Sequence, residues 1–94
     1  MDKIIVRTMV GMPKLFDADF NQPLASLKET IADSVGTPPD NQLLRQIMPA
    51  GTTIQIGDMR YPDGRIARIM TNDAWTLSSY GLVPGDTIAM SITF

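Results

Sequence analysis

The sequence predicts an α+β domain in which one helix packs across a mixed sheet. Three observations lead there. Apolar residues alternate with a period of two in "KIIVRTMV", "KLFDADF" and "GDTIAMSITF". Between Pro23 and Val35 they recur instead at spacings of three and four. Clusters of glycine, proline, asparagine and aspartate separate these runs. The order strand, strand, helix, strand or strands and closing strand fits a single small core. At 94 residues the chain is expected to form one domain over residues 1–94, burying about 60–65% of the surface its unfolded form exposes.

Lys3 to Val10 carries Ile4, Val6 and Thr8 on one face and Ile5, Arg7 and Met9 on the other, the pattern of a first strand. Gly11, Met12 and Pro13 make the turn. Lys14 to Phe20 alternates again, with Phe16, Ala18 and Phe20 toward the core and Leu15, Asp17 and Asp19 away from it, so the two runs pair as an antiparallel hairpin. Leu24, Leu27, Ile31 and Val35 form the apolar stripe of a helix from Pro23 to Val35. Pro23 costs nothing in a first turn, and Asn21 stands where a capping residue would. Gly36 occupies the place of a left-handed helix terminator, and Pro38 and Pro39 forbid continuation. Asp40 and Asn41 cap a short turn before the chain extends through Leu43, Leu44 and Ile47. Thr52 to Thr71 reads as a hairpin whose arms, "TTIQIGDMRY" and "RIARIMT", are joined by Pro62, Asp63 and Gly64. The last strand turns Ile88, Met90 and Ile92 inward and Ala89, Ser91 and Thr93 outward.

The chain contains neither cysteine nor histidine, which removes disulfides, thiolate nucleophiles, imidazole bases and His or Cys metal sites. Carboxylates alone remain for chemistry. Asp17, Asp19, Asp33, Asp40, Asp58, Asp63 and Asp86 are scattered over turns and strand faces, with nothing to fix two of them around a cleft. A domain of this size is also expected to lack a pocket of several hundred Å³, roughly what a small molecule needs. No enzymatic activity, cofactor, metal or small-molecule substrate is therefore expected. The net charge of −2 favours no polyanion, so neither nucleic acid nor an anionic membrane is an expected partner. No apolar run is long enough to span a bilayer, and the opening residues lack a secretory signal, which points to a cytoplasmic or nuclear location.

"IIVRTMVG", the helix followed by "GTPPDNQLL", the turn "DGR" and "TLSSYGLVPGDTIAMSI" resemble the ubiquitin-like family in order and spacing. The likeness is interrupted between Gly51 and Trp75. "GTPPDNQ" and "TLSSYGL" are its specific parts. The resemblance implies a β-grasp, with the sheet curled around the helix and an inserted hairpin or long loop at residues 52–75. It implies that Gly36, Pro38 and Pro39 turn the chain back toward the third strand. Lys28 would be a largely buried lysine with Asp63 as its candidate partner, and the Tyr80 hydroxyl would tie down a nearby loop.

Two departures bear on function. The family's exposed apolar recognition patch falls near Arg45, Ala89 and Ser91, and a two-residue slip would put Ile47 in the place of Arg45. Either way Ala89 and Ser91 erase much of the patch, so ordinary ubiquitin-binding modules are expected to bind weakly. The sequence ends in "SITF" rather than in the two glycines through which members of the family are activated and conjugated. Within the insert, Asp58, Asp63 and Asp73 offset Arg60, Arg65 and Arg68, which argues against phosphate binding. Trp75, Tyr61, Met59 and Met70 either pack the insert onto the domain or form a contact surface.

The expectation is a non-covalent interaction domain, an adaptor or one module of a larger protein, whose protein partner the sequence does not name. Its candidate binding residues are Arg45, Ile47, Met59, Tyr61, Arg65, Arg68, Trp75, Ala89 and Ser91. The alternatives are a modifier or carrier whose precursor extends to a diglycine tail, and a structural subunit of a larger assembly.

Overall fold

Alternation in the first two runs produces the hairpin expected of it. The computed structural model describes residues 2–8 and 11–93, and in it β1 (Asp2–Arg7) pairs antiparallel with β2 (Lys14–Ala18). Ile4 and Val6 are buried opposite Phe16 and its neighbours, and Lys3 pairs with Asp17 on the other face. The expected ends were longer: β1 stops at Arg7, Met9 and Val10 lie outside the described residues, and β2 stops at Ala18 although Phe20 is still buried.

Helix α1 (Leu24–Val35) follows. Its stripe buries Leu24, Leu27 and Ile31, with Val35 packed at the edge of the same cluster. Asn21 does not cap it. Pro23 holds the cap position with no side-chain hydrogen bond, and the first free amides are taken by distant carbonyls: Leu24 N–H donates to Trp75 O at 2.8 Å and Ala25 N–H to Asp73 O at 3.0 Å. Helix termini must satisfy their orphan donors somehow, and here a backbone segment does so in place of a side chain. At the other end Gly36 takes φ 81° and donates to Ala32 O, the stop its position implied.

After a short 3₁₀ turn at Pro39–Asn41 the chain enters β3 (Gln42–Met48). Gln42 is buried, and its amide donates to Lys28 O at 2.8 Å and Thr37 O at 3.0 Å, tying the helix and its exit turn to the sheet.

The expected hairpin over residues 52–71 is much shorter. Only β4 (Met59–Arg60) and β5 (Ile66–Ile69) pair, while residues 52–58 form a loop. The cause is Asp58. Its carboxylate accepts from Gln55 N–H at 2.8 Å and from Arg68 at 2.9 Å, while Arg68 also donates to Thr53 O, so the would-be strand folds onto itself. The β4–β5 connection does follow its sequence: Gly64 N–H donates to Tyr61 O, and Gly64 at φ 92° lets Tyr61 N–H reach Arg65 O.

The last strand, β6 (Thr87–Ile92), lies between β1 and β3, parallel to the first and antiparallel to the second. The six-stranded order is β2-β1-β6-β3-β5-β4, so the insert hairpin extends the sheet. Ile88 and Met90 are buried as expected, but Ile92 is 48% exposed. It lies opposite Gln42, whose engaged amide makes this end of the inner face polar. The architecture is α+β, one helix packed on one face of a mixed sheet. Among the described residues no helix is long and apolar enough to cross a membrane.

Candidate functional site

The helix covers one face of the sheet, and among the described residues no second layer of helix or sheet lies on the opposite face. Residues paired across neighbouring antiparallel strands point to the same side, so register maps that open face. Ala89 of β6 lies beside Arg45 of β3, and Arg45 beside Ile69 of β5. On its other side Ala89 is aligned with Arg7 of β1. One turn of the pleat away, Ile47 faces Ala67, which faces Met59 of β4.

These positions form a shallow depression of about 380 Å³, lined among others by Arg7, Arg45, Tyr61, Arg65, Ala89 and Ser91. A second of about 350 Å³ adjoins it and adds Ile47, Thr87 and Asp86 while sharing Arg7, Tyr61 and Arg65. A third, of about 590 Å³, lies under the insert beside Arg60 and Ile66. The expectation that the domain would lack a pocket of several hundred Å³ fails on volume. These are open surface hollows, however, and not enclosed cavities.

Seven of the nine sequence-derived candidates, Arg45, Ile47, Met59, Tyr61, Arg65, Ala89 and Ser91, line the two adjoining hollows. Arg68 lies elsewhere: it is bound to Asp58, whose side chain is only 3% exposed against 21% for the arginine, and it braces the insert loop. Trp75 is half exposed, and its ring lies 5.3 Å from that of Tyr80 beside the start of α1. Met70 is core. Arg7 was absent from the sequence-derived set, although its outward position opposite Ile4 and Val6 was the signal that could have included it. Ile54 and Ile56, exposed on the insert loop, were hidden by reading that loop as a strand.

The charges on this face differ in their commitments. Arg65 is held: its Nε donates to Asp63 at 2.7 Å and its guanidinium sits 5.1 Å from the centroid of the Tyr61 ring. The backbone amide of Arg65, followed by the guanidinium itself, holds the Asp63 carboxyl below its ordinary value. Arg45 reaches Ser91 Oγ only at 3.5 Å, and its Nε is out of water with no acceptor. Among the described residues no carboxylate lies within ion-pair distance of Arg7 or Arg45.

Two family-implied roles can be placed. The Tyr80 hydroxyl donates to Asn72 O and accepts from Asn72 N–H, each at 2.7 Å, so it does tie down a loop. Lys28 does not pair with Asp63. It meets Asp73 at 2.9 Å, because Asp63 is occupied by Arg65 at the hairpin tip while the Asp73 segment lies against the helix start. Compared with protein-family models and with curated proteins, the chain matches none.

Proposed function

We propose that the chain is a ubiquitin-like β-grasp domain that acts through non-covalent protein–protein interaction, with the open face of its sheet as the docking surface. The observation that carries this reading is the convergence of seven sequence-derived candidates on one uncovered face, in hollows that combine arginine, tyrosine and methionine. Those residue types dominate interface energetics. The β-grasp reading rests on the helix-on-mixed-sheet topology, on the Gly36 stop and on the Tyr80 anchor. The hairpin β4–β5 widens the surface by supplying Met59, Tyr61 and Arg65.

The test is site-specific photo-crosslinking of the full chain in the cells that make it. A crosslinker at Ser91 or Met59 is expected to give a discrete adduct, and one at Glu29 on the exposed side of α1 is not. Adducts formed only from Glu29, or from none of the three, would contradict the proposal.

A further inference from the structure

We infer that the open face receives an acidic segment of a partner protein, whose carboxylates enter between Arg7 and Arg45. This rests on the docking reading above and adds the chemistry of the occupant.

Ala89 is aligned with Arg7 on one side and Arg45 on the other, so a single methyl group separates two guanidinium-bearing positions. Two strand spacings put their backbones about 10 Å apart, a gap that a carboxylate can enter from above. Because β6 stands between β1 and β3, the two arginines are not a directly opposed cross-strand pair, and among the described residues neither has a carboxylate within ion-pair distance. An incoming carboxylate supplies the missing counter-charge and meets guanidinium nitrogens whose one hydrogen bond among the described residues is the long contact from Arg45 to Ser91 Oγ at 3.5 Å. Guanidinium forks bind carboxylates in pairs of parallel hydrogen bonds, which makes arginine the apt residue for this task.

The remaining charges favour the same orientation. Lys3, Lys28 and Arg68 are each paired. Glu29 and Asp33 lie exposed on the helix and Asp40 on the turn after it, so these uncommitted carboxylates sit away from the open face. In a chain of net charge −2 the open face is thus a cationic side. Asp86 lines the adjoining hollow, where its carboxylate accepts from Val83 N–H, and Asp63 offsets Arg65. That leaves too few free cations in a row for a polyanion, whose affinity comes from many phosphate contacts. Half-exposed Met59 and partly exposed Ile47 beside the arginines suit the apolar side chains of a peptide, while Ala67 between them is buried.

The experiment is fluorescence anisotropy of the full chain with a short labelled peptide of alternating glutamate and leucine. Its glutamine and lysine counterparts and an oligonucleotide of matching charge are the comparisons. The glutamate peptide is expected to bind at least about tenfold tighter than the others, and Arg7→Gln or Arg45→Gln to weaken it about tenfold. Circular dichroism and unfolding midpoints establish that each variant is folded. Arg45→Glu should transfer preference to the lysine peptide, a result that misfolding cannot mimic. Equal binding of glutamate and glutamine peptides, indifference to both arginine variants, or equal binding of the oligonucleotide overturns the inference. So does self-association in sedimentation that consumes the same face. If the glutamate peptide fails while the Ser91 crosslinks persist, the acidic occupant is wrong and the docking face stands; if both fail, both readings fall.

Discussion

Asp58 is the side chain on which the shape of the insert depends. Its carboxyl is held below its ordinary value of 3.8, first by the hydrogen bond from Arg68 and then by the Gln55 amide. A carboxylate with a depressed folded-state pKa adds stability that is complete above its unfolded value and is lost as pH falls through the folded one. The same direction holds for Asp17, hydrogen-bonded by Lys3, and for Asp63 at the hairpin tip. Thermal unfolding followed from neutral pH to below 3.8 is therefore expected to show a progressive acid loss, and Asp58→Asn should lower the midpoint at neutral pH while flattening that acid response. A variant with an unchanged acid profile would remove Asp58 from this role. At this scale the Tyr80 hydroxyl anchor, which the family resemblance implied, is in place eight residues from its partner, whereas Asp63, expected to meet Lys28, is held by Arg65 only two residues away. Lys28 departs from its expected pairing because its partner, Asp73, is brought to it by the path of the insert and not by any local pattern.

Among elements, the helix shows which boundaries are written locally. Gly36 stops α1 because its left-handed φ of 81° favours glycine. A Cβ placed there would meet nothing within 4 Å, so Gly36→Ala carries a conformational cost without a clash. It is expected to destabilise by about 1–2 kcal/mol, read by denaturant unfolding with an unchanged slope. A neutral substitution would mean that the left-handed conformation is not required. The opposite terminus is not legible in the sequence, since its amides are capped by the carbonyls of Asp73 and Trp75, which are remote in the chain. The insert departs from expectation for a related reason. Alternation in "TTIQI" fits a strand, yet the Asp58 and Arg68 hydrogen bonds fold residues 53–58 into a loop and leave only Met59 and Arg60 to pair. Local pattern is decisive only where no side chain from another element outcompetes the ladder.

For the whole molecule, the arrangement of faces matters more than any one contact. The helix and the core lie on one side of a sheet whose other side is uncovered, and two arginines without ion-pair partners among the described residues stand there on either side of a small residue. Period-two alternation turns Ala89 and Ser91 outward and the family resemblance puts Arg45 or Ile47 beside them, which makes part of this surface legible in the sequence. What alternation cannot show is that β6 lies between β1 and β3, because strand order is a property of the assembled sheet. Without that neighbour relation Arg7 is one more exposed charge, and its juxtaposition with Arg45 is invisible. The measurement that bears most directly on the role of this face is an amide chemical-shift map of the labelled full chain titrated with the glutamate peptide. Shifts are expected at Arg7, Arg45, Ala67, Ala89 and Ser91, with Leu24–Val35 unmoved. Shifts confined to that helix or to the edge strand Lys14–Ala18 would contradict docking on the open face.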